Sequence, residues 1–301
     1  MTKIKGIYTP VITIMKDDGT IDMEHMEEHI NHLCDAGING LLFGGSLGEF
    51  YACSIKEKKA LIDLAVKTVH HRSQILIGVG STIWTDVIEL ATYAEKVGAD
   101  IINIVPPFYF GPTEKSIIDY YGKIAQQVSI PIQIYNFPAR VGSDITSDAL
   151  VSLVKSHPNI IGIKDTVDTI SHTRKLITAV KSVRPDFSVL SGFDEYYLDN
   201  RLAGGDGVLC GLTNVVPQLF VKYHAAYEAN DFKATMTYGK LVSQLMQIYD
   251  VTDLFIVAIK AAVKIRGLDI STYTRAPGIT ITNEEYHNVQ HILNEVLPNE
   301  I

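Results

Sequence analysis

The strongest constraint on the fold is a regular alternation of short apolar runs with longer segments of helical periodicity. Eight such runs, rich in β-branched residues, lie near residues 7–13, 40–43, 75–79, 101–105, 132–135, 160–164, 188–190 and 207–210. Runs of this length are typical of parallel strands that are buried on both faces. Eight strand–helix units joined by right-handed crossovers favour closure into a barrel. The sequence therefore predicts an α/β fold, a (β/α)8 TIM barrel.

An open doubly wound sheet is the structural alternative. Sheets of that kind that bind dinucleotides carry Gly-x-Gly-x-x-Gly directly after a strand. Residues 78–83 read Gly-Val-Gly-Ser-Thr-Ile, so they match only the first two glycines. This half-match is weak, and the count of eight units favours the barrel.

The carboxyl-terminal quarter of the chain has a different pattern. Strand signals stop after about Asn214, whereas residues 217–267 and 283–297 keep a helical pattern. Because this is too long for one barrel-closing helix, we expect a catalytic barrel over residues 1–224 and a C-terminal helical extension, residues 225–301, packed on it. No low-complexity linker separates the two parts, which predicts one compact unit.

Composition excludes several classes of partner. The net charge of −8 argues against nucleic-acid and acidic-membrane partners. No apolar run approaches the ~20 residues of a membrane span, and the first residues lack the apolar core of a signal peptide. Cys34, Cys53 and Cys210 form no CxxC pair, so neither a disulfide framework nor a zinc knuckle is indicated. We expect a cytoplasmic protein with reduced cysteines.

Three histidines at helical spacing are the only arrangement that suggests a metal. His25, His29 and His32 share one predicted helix face, but glutamates surround them in the same segment. This composition is typical of a solvated helix face. We therefore predict no metal and no cofactor.

Lys164 ends the sixth apolar run and is followed at once by Asp165. A lysine at the end of a strand buried on both faces has little chain left to reach water, so it is either paired or chemically employed. The paired alternative is an ion pair with Asp165. In the second alternative, burial lowers the pKa of Lys164 below the value of about 10.4 that a free lysine has, and this yields a neutral amine that can attack a carbonyl. A barrel favours the second, because catalytic groups stand at the carboxyl ends of its strands.

Other polar side chains follow other predicted strands at the same height. They are Ser46 after the second strand, Tyr109 after the fourth, Tyr135 at the end of the fifth, and Asp194 and Glu195 after the seventh. In a barrel these positions converge on one mouth. The glycines around Ser46 suit inward-turned backbone N–H groups that would hold a carboxylate, and a tight βα turn is the alternative.

Four motifs occur in a fixed order along the barrel segment. They are Gly-Ser-Leu-Gly-Glu at 45–49, Tyr-Asn-Phe-Pro at 135–138, Gly-Ile-Lys-Asp-Thr at 162–166 and Gly-Gly-Asp-Gly at 204–207. In this order, and in register over about residues 4–225, the chain resembles the dihydrodipicolinate synthase/N-acetylneuraminate lyase family. The resemblance implies a class I lyase or aldolase on a TIM barrel. Within the family, the chain looks most similar to the 2-keto-3-deoxygluconate (2-keto-3-deoxy-sugar-acid) aldolases.

The resemblance also implies roles for individual residues. Lys164 matches the lysine that forms a Schiff base with pyruvate or another 2-keto acid, and Tyr135 matches a proton shuttle. Ser46 matches a hydroxyl that relays protons and holds the keto-acid carboxylate. Leu47 departs from the hydroxyl residue that many members carry, so we expect a backbone N–H alone to make the second carboxylate contact. Tyr109 matches an aromatic residue inserted into a neighbouring subunit's site, which implies a homotetramer built from two dimers.

The second substrate, an aldehyde, is predicted by two features that disagree. Arg140 lies where dihydrodipicolinate synthases carry an arginine that grips the carboxylate of aspartate semialdehyde. Gly192, Asp194 and Glu195 instead resemble a sialate-lyase segment that accepts hydrogen bonds from sugar hydroxyls, and Thr166 matches a polyol-contacting threonine. Two carboxylates would repel an anionic aldehyde and favour a hydroxylated one. In a further interpretation Arg140 neutralises the carboxylate pair and leaves a polyol pocket intact.

We therefore predict a pyruvate-dependent aldolase that cleaves or forms a C–C bond of a 2-keto-3-deoxy sugar acid. Dihydrodipicolinate synthase activity is the main alternative. A hydratase or dehydratase acting on the same imine also stays open, as does a barrel that binds keto acids without chemistry. Pyruvate and the aldehyde are the expected small-molecule partners.

Overall fold

The computed structural model describes residues 3–298, and its centre is a barrel of eight parallel strands. The strands are β1 (Gly6–Pro10), β2 (Gly40–Phe43), β3 (Gln74–Gly78), β4 (Ile101–Ile104), β5 (Ile132–Asn136), β6 (Ile160–Asp165), β7 (Ser188–Ser191) and β8 (Gly207–Leu209). Each pairs with its neighbours in chain order, and β1 pairs with β8 to close the sheet. The predicted TIM barrel is confirmed, and the open sheet is excluded.

Twelve α-helices surround and extend the barrel within the described residues. They are α1 (Met23–Asp35), α2 (Ile55–Val69), α3 (Trp84–Val97), α4 (Glu114–Ala125), α5 (Pro138–Val141), α6 (Ser147–Ser156), α7 (Ile170–Val183), α8 (Tyr197–Leu202), α9 (Pro217–Glu228), α10 (Phe232–Leu245), α11 (Phe255–Ile265) and α12 (Asn283–Val296). The short α5 sits between β5 and α6, so the loop after β5 is longer and more structured than a simple turn. Among these helices none is long and apolar enough to cross a membrane.

The apolar core has two main layers because the strands are apolar on both faces. One layer packs the outside of the barrel against the helices. The other fills the barrel axis with Ile4, Tyr8, Leu42, Leu76, Ile101, Ile161, Leu190 and Leu209. All six residues of β6 are buried, which is the pattern expected of a strand in a barrel covered by helices. The barrel interior is therefore solid, and ligands are confined to its mouth.

The register of β5 and β6 fixes the position of the two predicted catalytic residues. Tyr135 lies opposite Lys164, and Asn136 lies opposite Asp165. Because side chains alternate along a strand, the first pair shares one face of the sheet and the second pair shares the other. Both strands extend one residue beyond the predicted apolar runs, since Asn136 and Asp165 continue the ladder.

The C-terminal extension packs on the barrel as helices α10 to α12. The predicted boundary after residue 224 falls inside α9, so this barrel-closing helix is continuous across it. A 3-10 helix, Met246–Asp250, and the start of α11 reach the mouth of the barrel. The extension thus contributes side chains to the same cavity as the strand ends.

The histidine face on α1 differs from its prediction. His29 is 1% exposed, and its Nε2 lies 3.0 Å from Oδ1 of Asn214. Burial lowers the pKa of His29 to about 4, so its ring is neutral at pH 7. The solvated-face prediction is therefore wrong for His29, because this face of α1 packs on the barrel.

Candidate active site

A cavity of about 460 Å³ opens at the carboxyl ends of the strands. It is lined by Pro10, Ser46, Leu47, Tyr135, Phe137, Arg140, Lys164, Thr166, Asp168, Gly192, Phe193, Asp194, Glu195, Leu209, Cys210, Gly211, Met246, Tyr249, Asp250 and Phe255. We call Ser46, Tyr135, Lys164, Leu209 and Cys210 the floor, and Arg140, Asp168, Glu195, Asp250 and Phe255 the rim. Its volume is in the range of about 300–1,000 Å³ that is usual for small-molecule sites.

Lys164 stands on the floor with its amine enclosed by protein. The residue is 5% exposed, and Nζ lies 4.2 Å from the centre of the Tyr135 ring. Within residues 3–298 it makes no ion pair, and Asp165 binds other groups on the opposite face of β6. The interpretation of Lys164 as a partner of Asp165 is therefore wrong. A buried amine without a carboxylate partner fits the role of a nucleophile.

Tyr135 connects Lys164 to Ser46. Its hydroxyl lies 3.3 Å from Ser46 Oγ, and either oxygen can be the donor. The ring is 3% exposed and stacks on Phe137 at 5.9 Å between ring centres. Tyr135 thus lies between the amine of Lys164, which stands over its ring, and the hydroxyl of Ser46, which is within hydrogen-bond distance of its own hydroxyl.

The loop after β2 holds Ser46 and Leu47 at the edge of the floor. It is tight: the carbonyls of Gly45 and Ser46 accept hydrogen bonds from the N–H groups of Phe50 and Glu49. Gly45 is buried behind the cavity wall, and Leu47 is 5% exposed and lines the cavity. The loop is therefore rigid enough to present fixed groups to a small ligand.

The same loop is tied to the C-terminal extension by a buried ion pair. Glu49, which adopts φ +50°, accepts from Lys260 Nζ at 2.5 Å, and both side chains are almost fully buried. Lys260 also donates to the carbonyl of Tyr273 at 2.7 Å. Breaking such a pair leaves an uncompensated buried charge, so α11 and the β2 loop hold each other in place.

Thr166 and Gly192 fit against one another beside Lys164. A Cβ at Gly192 would stand 1.9 Å from Thr166 Oγ1, so only glycine allows this approach. Thr166 Oγ1 is buried and has no hydrogen-bond partner among the described residues. A buried hydroxyl of this kind costs free energy unless another group bonds it.

Asp194 and Glu195 have different surroundings. Asp194 is 2% exposed, and its two oxygens accept from the N–H of Leu212 at 2.8 Å and the hydroxyl of Tyr249 at 2.9 Å. Burial raises the pKa of Asp194. Glu195 is half-buried on the rim, and desolvation together with nearby Asp168 raises its pKa. Asp194 is thus engaged with protein donors, while Glu195 faces the cavity.

Arg140 lies on the rim with no carboxylate partner. Its guanidinium stands 5.8 Å from the centre of the Phe255 ring, and residues 3–298 provide no ion pair to it. Arg140 therefore makes no direct ion pair with Asp194 or Glu195, and its neutralising role across the cavity stays a prediction. Stacking on an aromatic ring is a common position for arginine at a surface.

Tyr109 does not join the cavity of its own chain. It is 86% exposed, adopts φ +82° and packs edge-on against Phe110, with 4.9 Å between ring centres. A residue with a large side chain rarely adopts this backbone conformation. The other predicted residues of the site converge; Tyr109 and the backbone of Gly45 stand outside the cavity lining.

Several residues of the cavity were not predicted. Met246, Tyr249, Asp250 and Phe255 come from the C-terminal extension, and Cys210 follows β8. No motif marked them, because their position depends on how the extension folds back over the barrel. The residues that the structure describes include no cluster of His, Cys, Asp or Glu suited to a metal ion.

Comparison with known proteins identifies the family. Residues 3–296 match the model of the dihydrodipicolinate synthetase family. The chain belongs to this family. It is accordingly an enzyme of the class I aldolase or lyase type. YjhH of Escherichia coli K12, whose name assigns it the probable activity of a 2-dehydro-3-deoxy-D-pentonate aldolase, is 37% identical over 293 residues, which is 97% of each chain.

Solved structures of the family agree with this result. The crystal structure of YagE from E. coli K12, in complex with pyruvate, superposes with a TM-score of 0.95 at 35% identity and covers 97% of this chain and 98% of that one. The name of YagE provisionally assigns it 2-dehydro-3-deoxy-D-gluconate aldolase activity. Dihydrodipicolinate synthase from Aquifex aeolicus gives a TM-score of 0.91 at 26% identity, with 97% and 98% coverage. Relatives of this chain are thus named for both of the predicted activities.

Proposed function

We propose that this enzyme is a pyruvate-dependent aldolase that acts on a 2-keto-3-deoxy sugar acid of the 2-keto-3-deoxygluconate type. The observation that carries the proposal is the enclosed, unpaired amine of Lys164 beside the Tyr135–Ser46 pair. The names of YjhH and YagE support the substrate class.

In the cleavage direction, neutral Lys164 attacks C2 of the keto acid, water leaves, and a protonated imine forms. Tyr135 gives its phenolic proton to the hydroxyl that leaves as water, and the phenolate so formed accepts the proton of the C4 hydroxyl as the C3–C4 bond breaks. The electron pair of that bond moves into the imine to give an enamine, and the aldehyde departs. Protonation of the enamine at C3 and hydrolysis of the imine then release pyruvate and restore Lys164. Synthesis is the reverse.

The β2 loop binds the keto-acid carboxylate. Ser46 donates its hydroxyl, and the backbone N–H of Leu47 donates a second hydrogen bond. The 3.3 Å contact between Ser46 and Tyr135 lets Ser46 also pass a proton between the tyrosine and the carboxylate end of the substrate.

The rest of the cavity suits a hydroxylated aldehyde. The unpartnered Thr166 hydroxyl can bond a sugar hydroxyl once its side chain rotates from Gly192 towards the cavity, and Glu195 and Asp168 supply acceptors on the rim. Asp194 accepts a hydrogen bond from the Tyr249 hydroxyl and so fixes this side chain at the edge of the cavity. The rim carries three carboxylates, those of Asp168, Glu195 and Asp250, and one guanidinium, that of Arg140. This excess of negative charge disfavours an anionic aldehyde.

Steady-state kinetics with both substrates test the proposal. We expect kcat/KM for cleavage of 2-keto-3-deoxygluconate to be at least about tenfold above that for condensation of pyruvate with aspartate semialdehyde, a difference of roughly 1.4 kcal/mol. Products should be pyruvate and glyceraldehyde; retention of the whole carbon chain would instead indicate a dehydratase. A faster semialdehyde reaction would contradict the proposal.

Dihydrodipicolinate synthase activity is the second candidate, because one observation favours it. Arg140 lines the cavity without an ion pair among the described residues, so its guanidinium can receive a substrate carboxylate. If this activity is the faster one, Arg140→Ala should abolish the preference for the semialdehyde.

The proposal extends to the assembly and the compartment. Tyr109, exposed and held at a positive φ, would enter the site of a neighbouring subunit in a homotetramer. Light scattering at micromolar concentration should give four chains, and a monomer would contradict this. The free thiols of Cys34, Cys53 and Cys210 are consistent with the reducing cytoplasm.

A further inference from the structure

His172, near the start of α7, makes two ionic contacts behind the floor of the cavity. Its Nδ1 lies 3.0 Å from Oδ2 of Asp165, and its Nε2 lies 3.0 Å from Oδ2 of Asp144. Asp165 ends β6, and Asp144 lies in the segment between α5 and α6. A ring that faces a carboxylate at each nitrogen is stable only with a proton on both, so His172 is an imidazolium.

Asn136 makes a second connection between the same two carboxylates. Its Nδ2 donates to Oδ1 of Asp144 at 2.8 Å and to Oδ1 of Asp165 at 2.9 Å, and its Oδ1 accepts from the N–H of Ile145. Thr173 adds a donor to Asp165 at 2.7 Å. Every polar atom of the Asn136 amide is therefore used, and Asp165 receives three hydrogen bonds although its side chain is fully buried.

The cluster stands directly behind the two residues that perform the chemistry. Asn136 follows Tyr135 on β5, and Asp165 follows Lys164 on β6, at the same register. Because neighbouring side chains point to opposite faces of a strand, the outward pair carries the anchors and the inward pair faces the substrate. Movement of the anchors would change the position of the phenol relative to the amine.

The charges in the cluster depend on His172. Hydrogen bonds to Asp144 and Asp165 raise the pKa of His172 to about 10, and these two carboxylates are the charged groups that act on it from the loop and from β6. His172 also holds the pKa of Asp144 below its usual range. Without the imidazolium, two carboxylates would stand close together with one of them buried, which is unfavourable.

We propose that His172 is a positioning residue whose imidazolium clamps Asp144 and Asp165 and thereby fixes Tyr135 relative to Lys164. This inference rests on the roles assigned to those two residues in the proposed function. It concerns catalysis and not substrate binding, because within residues 3–298 no hydrogen bond or ion pair joins the loop after β2 to the cluster.

The test is the variant His172→Gln, with His71→Gln, which changes an exposed histidine in the turn between α2 and β3, as the matched control. We expect kcat for cleavage of the sugar acid and the rate of imine formation with pyruvate to fall about tenfold. Small misplacements of reacting groups can cost up to about 10²-fold, so this is a moderate value. KM should change less than twofold, and His172→Arg, which keeps a cation, should recover at least a third of kcat.

Three outcomes decide the inference. Unchanged kcat and imine formation in folded His172→Gln, or a rise in KM at constant kcat, would overturn the clamp but leave the aldolase mechanism intact. Absence of a borohydride-trapped pyruvate adduct in the wild type would overturn both. If His172→Gln does not fold, Asp144→Ala replaces it, since the Asp144 side chain is 42% exposed; a threefold fall in kcat at constant KM supports the clamp, and an unchanged kcat refutes it.

Discussion

The floor and the rim of the cavity are built from different parts of the chain. The floor comes mainly from strand ends, with Ser46 added by the loop after β2. Tyr135 and Lys164 are therefore fixed by the barrel ladder and by the anchors behind it. The rim comes from loops and from the C-terminal extension, and its residues are half-buried or exposed. From this difference we infer that the floor determines the type of reaction and that the rim determines which aldehyde is accepted.

This division agrees with the relatives. Proteins named for sugar-acid cleavage and for dihydrodipicolinate synthesis share the barrel with TM-scores above 0.9, so the scaffold alone does not choose the second substrate. Changes at the floor should therefore affect every reaction of the enzyme, and changes at the rim should affect one substrate more than another.

The largest effect is expected for Lys164→Ala. Pyruvate with borohydride should add one reduced adduct per chain to the wild type, and the variant should show none, because the nucleophilic amine is gone. Intact mass spectrometry measures this. Lys56→Ala, which removes an exposed lysine, is the control and should keep the adduct. A wild-type mass that does not change would refute the Schiff-base mechanism.

The second effect is expected for Tyr135→Phe. Turnover should fall by about 10²-fold or more, the scale of a lost acid–base group, because the phenol that moves protons is removed. Slow imine formation should persist, since the amine of Lys164 stays in place. Comparison of kcat with the rate of borohydride trapping separates the two steps. Near-normal kcat would mean that Tyr135 only packs against Phe137.

The same division explains how far the sequence could predict the molecule. Eight apolar runs were sufficient for the barrel, because strand burial on both faces leaves a local pattern. Lys164, Tyr135 and Ser46 could be placed on the floor because the carboxyl ends of barrel strands meet at one mouth. Each inference needs only short local patterns: the apolar run of each strand and the polar residue that follows it.

The rim could not be predicted in this way. Tyr249 and Phe255 reach the cavity through packing of the extension, more than 80 residues after Lys164, and no local pattern marks that contact. The partner of Asp165 was also predicted wrongly: sequence adjacency suggested Lys164, whereas strand alternation sends Asp165 to His172 and Thr173. The sequence also did not predict that Arg140 lies beside the Phe255 ring, because Phe255 belongs to the extension.

A smaller effect is expected for Thr166→Val, between floor and rim. The hydroxyl has no partner among the described residues, so we expect it to bond the sugar acid. One lost hydrogen bond of about 1 kcal/mol corresponds to roughly fivefold in kcat/KM for 2-keto-3-deoxygluconate. Pyruvate trapping should be unchanged, and the unfolding temperature should stay the same or rise, because valine removes an unpaired buried hydroxyl. If the rate of pyruvate trapping and the kcat/KM for cleavage fell equally, Thr166 would act in imine formation and not in binding of the aldehyde part.

The smallest effect concerns stability. It compares the charged cluster of His172, Asp144 and Asp165 behind the floor with the uncharged side chain of Thr166. The pKa of His172 is raised from 6.5 to about 10 in the folded chain, first by Asp144 and then by Asp165. A raised folded-state pKa means that the stabilisation is fully present below about pH 6.5, declines as the pH rises, and is lost above about pH 10.

The difference in unfolding temperature between wild type and His172→Gln should therefore be about 3 °C at pH 6, roughly what 1 kcal/mol gives in a chain of this size, and should approach zero near pH 10. Using the difference between two proteins cancels the titration of lysines and tyrosines that both share. Thr166→Val serves as the control, and its difference from wild type should be flat over the same range. A His172→Gln difference that is equally flat would mean that the imidazolium adds no charge-dependent stability, and that the floor is supported by packing and neutral hydrogen bonds, like the wall at Thr166.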